Sequence, residues 1–171
     1  TNAADARKQQ ALAEPNAAAE VAARKQSELI AEFMSETLQG AGPSVALGRD
    51  ITMLREMMDA AAARIEQGDL ASAPEAELRL RGTIGGTYRE LAVFDAAQKM
   101  LEPAVALARR THTGDHAETS FALNNLALLF LTRGELAKAE PFFNEALEMR
   151  RRLFPGDHPD VATGLNNLAG L

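Results

Sequence analysis

Two pairs of neighbouring asparagines, Asn124–Asn125 and Asn166–Asn167, are the polar residues whose spacing points to chemistry. Both pairs lie in the phrase LNNLA, and the two copies are offset by 42 residues. A carboxamide carries a donor and an acceptor, so it can hold a passing peptide unit without demanding a particular side chain. The same amides can instead bond between neighbouring units and hold a stack together. Both readings stand on the sequence. His116 and His158 recur beside Asp115 and Asp157, which suggests metal, but a single pair supplies too few ligands. A turn in which Asp caps a helix that starts at His is the stronger reading. The run GTIGGTY (Gly82–Tyr88) invites comparison with a phosphate-cradling loop. It lacks the G-x-G-x-x-G order and sits in a helical stripe rather than after a strand, so close helix packing explains it better. No Ser-His-Asp set follows from the spacing, because each would need spatial convergence that repeats do not predict. The expectation is a segment with no catalytic residue, no metal and no cofactor.

The elements that must position the asparagines repeat with them. TGDHAETSFALNNLALL (Thr113–Leu129) aligns without a gap on PGDHPDVATGLNNLAGL (Pro155–Leu171), again 42 residues on. The same offset runs backward: Ile84, Gly85, Tyr88, Phe94, Ala97, Leu101, Ala104 and Val105 meet Leu126, Ala127, Phe130, Leu136, Ala139, Phe143, Ala146 and Leu147. Small falls on small and large on large, as packing at interior density requires. Within a unit the apolar spacing is helical. Leu123, Leu126, Ala127 and Phe130 mark one stripe, and Leu136, Ala139, Phe143, Ala146 and Leu147 mark a second. Gly134 breaks them where a left-handed residue ends a helix, and Asp115 with Glu118 has capping-box spacing. Each unit therefore reads as two antiparallel helices joined by a tight turn, and periods of this length signal stacked architectures.

ALNNLALLFLTRGELAKAEPFFNEALEMRRRLFPGDHPDVATGLNNLAGL closely resembles tetratricopeptide repeats, in the longer form found in kinesin light chains. The resemblance covers roughly residues 78–171. The first unit departs from it, with Arg81 where the second has Leu123 and Ala92 where it has Gly134. It implies an all-α fold, a right-handed superhelical stack of antiparallel helix pairs. Peptide-binding members often bond the ligand backbone through an Asn two residues before the small residue, the place held here by Asn125 and Asn167, with Thr83 as the shorter equivalent. Asn124, Asn166, Leu128 and Leu131 complete the expected groove.

The organisation expected is an N-terminal Ala-rich helix and loop over 1–48, a helix of a degenerate opening repeat over 49–73, full units over 74–115 and 116–157, and the first helix of a third over 158–171. Pro15 suits the first turn of the long helix, whose apolar side takes Val21, Leu29, Ile30, Phe33 and Leu38. Residues 40–48 carry the glycines and proline of a loop. Leu54, Met57, Met58, Ala61 and Ile65 share a face of the next helix, with Gly68 as its stop. RKQSELIAEFMSETL followed by LGRDITMLREMMDAAAARI also resembles the connecting region that precedes such repeats in bacterial membrane-anchored serine/threonine protein kinases.

Composition bounds the function. The chain has 171 residues, 46% of them hydrophobic and 25% charged, which suits a folded protein. A net charge of −6 gives no electrostatic basis for nucleic acid. The absence of cysteine excludes disulfides without fixing a compartment. No apolar run approaches the roughly 18 residues of a membrane span, so direct membrane insertion is not expected. A chain that opens on Thr1 suggests an excerpt from a longer protein. The expected partner is a peptide or protein segment held in the concave groove. The alternative is self-assembly, a homo-oligomer formed through the N-terminal helix and the uncovered Val161, Leu165 and Leu168.

Overall fold

The computed structural model describes residues 21–22, 24–33 and 51–171. The expectations placed on Pro15, Leu38 and the loop at 40–48 lie outside them. Residues 24–33 are helical, with Phe33 buried and Val21, just before them, exposed. Six further helices follow: α1 (Ile51–Glu66), α2 (Pro74–Glu90), α3 (Phe94–Thr111), α4 (Ala117–Thr132), α5 (Leu136–Leu153) and α6 (Pro159–Ala169). Among the described residues there is no strand.

Local sequence explains where these helices begin and end. Pro74 opens α2, where its missing N–H costs nothing, and Glu75 and Glu77 meet the positive end of the helix dipole. Inside each hairpin the turn is closed twice in the same way. Glu135 N donates to Phe130 O at 2.8 Å, and Val93 N donates to Tyr88 O at 2.8 Å. This turn needs one left-handed residue. Gly134 supplies it at φ 74°, and Ala92 is forced into it at φ 56°. At the starts of α4 and α6 the structure corrects the sequence reading. The cap is the histidine rather than Asp115: His116 Nδ1 accepts from Glu118 N at 3.3 Å, and His158 Nδ1 accepts from Asp160 N at 3.2 Å. Asp115 is taken instead by Arg152, whose Nε and Nη2 donate to its two oxygens at 2.7 and 2.8 Å.

Packing follows the chain. α2 pairs with α3, α4 with α5, and α6 packs on α5. These are the antiparallel helix pairs of a tetratricopeptide-like solenoid, each adding to the one before. Most expected stripe residues are buried: Leu123, Leu126, Ala127, Phe130, Ala139, Phe143, Ala146 and Leu147. Leu136 is the exception at 44% exposure, because it is the first residue of α5 and projects past the end of α4. Leu54, in the first turn of α1, is likewise exposed, while Met58, Ala61 and Ile65 of the same helix are buried.

The glycine run lies wholly inside α2. A Cβ on Gly85 would stand 2.5 Å from Leu101 Cγ, and one on Gly82 would stand 2.7 Å from Phe121 Cε1. These two absences of side chain let α3 and α4 approach α2.

Candidate protein-binding surface

The first helices of consecutive hairpins, α2 and α4, pack against each other, whereas the second helices, α3 and α5, hardly touch. A stack whose first helices are closer than its second helices curves toward the first. The inner face is therefore made by α2, α4 and α6.

On α4 this face carries Ala117, Phe121, Asn125, Leu128 and Thr132, spaced by three and four. Phe121 is 37% exposed and Asn125 and Leu128 are partly buried. Leu131 is also partly buried, at the neighbouring edge. Asn124 is not on the inner face. It is 6% exposed, between the second hairpin and α6, and accepts at Oδ1 from Asn167 Nδ2 at 2.8 Å. Asn125 Nδ2 reaches Gly82 O at 3.5 Å in the same register. The amides at the repeated position thus each donate to the preceding unit. Asn166 is exposed on α6, and Thr83, exposed on α2, turns its hydroxyl to Arg79 O at 3.0 Å.

Gly82 and Asn124 are equivalent positions, as are Phe121 and Thr163. The large Phe121 lies over the missing side chain of Gly82. In the next unit the sizes are reversed, with Asn124 and the small Thr163. Asn124, buried and bonded to Asn167, therefore fills a structural place, and its period alone did not reveal this.

A cavity of about 400 Å³ opens on this face, lined among others by Arg79, Thr83, Phe121, Arg150, Phe154 and Asp160. Arg79 is held by Glu118 across the two hairpins. Arg150, from the end of α5, reaches between α4 and α6. Its Nε lies 3.4 Å from Ser120 Oγ and its Nη1 donates to Asp160 O at 3.2 Å. Burial disfavours its charge and pulls its pKa down, while the Asp160 carboxylate opposes that shift. Sequence reasoning missed Arg150, although a signal existed: it stands 42 residues after Ala108, an arginine where the preceding unit has a buried alanine.

His112 was also missed. It ties three helices together, with Nδ1 2.9 Å from Thr119 Oγ1, Nε2 2.8 Å from Glu75 Oε1, and its ring stacked on His116 at 3.6 Å. Phe154 and His158 repeat that stack at 4.2 Å, which marks the two histidines of the inter-hairpin turns as structural. At the other end, Tyr88 donates to Asp59 Oδ1 at 2.6 Å and fastens α2 to α1. Burial first, then this hydrogen bond, pushes the phenol well above its ordinary pKa.

Residues 76–152 match the family model of the tetratricopeptide repeat. Comparison with curated proteins finds no match. Together with the helical stack, the family match supports tetratricopeptide repeats over these residues. Repeats of this family are non-catalytic and generally mediate protein–protein interaction.

Proposed function

We propose that this segment is a scaffold that holds an extended or helical protein segment along the inner face of α2, α4 and α6. The observation that carries the reading is the row of exposed Phe121 and partly buried Asn125 and Leu128 beside a cavity, on the face where the first helices α2 and α4 pack together. Apolar side chains there offer shallow contacts, and the Asn125 carbonyl oxygen, bonded to nothing among the described residues, offers an acceptor for a ligand N–H. Asn166, Asn167, Leu131 and Thr83 extend the row toward its two ends, and Asn124 serves the stack.

A photo-reactive residue at Leu128 tests this, with one at the exposed Glu148 of α5 as control. A discrete cross-linked partner should form from position 128 alone and disappear when Phe121→Ala is added. Equal cross-linking from both positions would remove the inner face from consideration.

The resemblance over about residues 20–70 supports a finer reading, in which the stack regulates an attached bacterial serine/threonine kinase. A parent chain without a kinase domain would end that reading while leaving the scaffold intact. The second reading is self-assembly. It is favoured by Leu165, 45% exposed on α6 beside an apolar cavity of about 430 Å³ that Val161 and Ala162 also line. Leu165→Glu should then lower the sedimentation coefficient of an associating protein and leave a monomer unchanged.

A further inference from the structure

We propose that the cavity between α2, α4 and α6 is an anion subsite, in which Arg150 takes the carboxylate of an acidic side chain on the bound segment. This deepens the scaffold reading and rests on it.

Arg150 is only 6% exposed. A guanidinium has five N–H donors, yet Arg150 spends its contacts on two neutral oxygens at 3.4 and 3.2 Å. The other buried arginine, Arg81, has the Glu77 carboxylate at 2.7 Å. No described carboxylate lies within ion-pair distance of Arg150. The Asp160 side chain acts on it from further away, is 54% exposed, and has His158 Nδ1 at 3.5 Å. A desolvated cation without a close counter-ion is costly, and a charged hydrogen-bond partner relieves that cost.

The position is not demanded by the stack, since the preceding unit holds Ala108 there. Gly164 lets α6 approach this end of α5: an added Cβ would lie 3.0 Å from Leu147 Cδ1 and in ordinary contact, at 3.6 Å, with Arg150 Nη1. The cavity of about 400 Å³ accommodates a Glu side chain, with Phe121 and Phe154 on its walls. Its charges select among anions. Arg79 is neutralised by Glu118, and Asp160 lies on the rim. A doubly charged phosphate would meet both acids, whereas a single carboxylate meets Arg150 with less repulsion.

Two probes separate the outcomes: acetyl-Gly-Phe-Glu-Phe-Gly-amide and the same peptide with Gln for Glu, titrated into isotope-labelled protein and followed by amide resonances. The Glu probe should bind about tenfold more tightly, as a charge-assisted hydrogen bond provides. That preference should vanish in Arg150→Gln. Because a buried substitution can unfold the chain, Thr83→Glu is the second variant: it sets a carboxylate at the cavity wall from an exposed position and should also abolish the preference. Equal affinity of the two probes for the wild type, with inner-face resonances shifting for both, overturns the anion subsite and spares the scaffold. Shifts in neither titration overturn both.

Discussion

Single residues in the repeated turns and seams carry sharp consequences. Ala92 takes the left-handed conformation that its counterpart Gly134 adopts without strain, at φ 56°. For an L-residue that conformation costs roughly 1–2 kcal/mol, and glycine avoids it at a smaller entropic cost. Ala92→Gly should therefore stabilise the protein by up to about 1 kcal/mol in urea denaturation. A lower midpoint would mean that the Ala92 methyl makes a compensating contact. The glycine run offers a paired test within one helix. Gly85→Ala drives a Cβ to 2.5 Å from Leu101 Cγ and should destabilise by about 1–3 kcal/mol. Gly86 has nothing within 4 Å of an added Cβ, so Gly86→Ala should stabilise α2 by up to about 1 kcal/mol. Opposite signs from adjacent positions would locate the α2–α3 seam.

Between elements, small residues and cross-helix ion pairs set the spacing. Ala139 and Ala146 are 0% and 2% exposed on α5. Ala139→Phe or Ala146→Leu should overpack the seam by roughly 1–3 kcal/mol, visible as a lower melting temperature. The Asp115–Arg152 pair ties the turn before α4 to the end of α5. That hydrogen bond first, and the arginine charge with it, holds the Asp115 carboxyl below its ordinary value of 3.8. A depressed folded-state pKa contributes stability above the unfolded value and loses it as pH falls through the folded one. The contribution of this pair should hold at neutral pH and fade below about pH 4. Asp115→Asn should accordingly narrow its stability gap to the wild type as the solution is acidified through that range. A gap of constant size would show that the pair contributes nothing. The sequence made these elements legible through size matching: Leu126 on Ile84 and Phe143 on Leu101 leave little freedom in how two hairpins nest. It could not place Asp115, because a capping aspartate and an aspartate recruited by an arginine 37 residues on look identical in one dimension.

At the scale of the whole molecule, the period predicts a stack, and the tighter packing of α2 on α4 than of α3 on α5 gives it an inner face. The asparagines were legible as a repeated position, but their division was not: Asn124 is buried and bonded to Asn167 of α6, and that needs a neighbour in space. Arg150 stayed hidden for the same reason, since its Ser120 and Asp160 contacts come from two other helices. Stability in such an array is a sum over units and their nearest-neighbour interfaces, so it should grade along the chain. α4 is flanked by helices on both sides, whereas α6 has Leu165 uncovered at 45%. Amide hydrogen exchange should be slowest in α4 and fastest in α6, with α2 and α3 between them. Phe143→Ala sharpens the test, because a large buried residue lost from α5 costs roughly 3–5 kcal/mol locally. Exchange should accelerate most in α5 and α6, which depend on that interface directly. The Tyr88–Asp59 contact and the Gly85–Leu101 seam are untouched by it, so α2 and α3 should keep most of their protection. Uniform acceleration over all six helices would mean a single cooperative unit, and the nearest-neighbour account would fail.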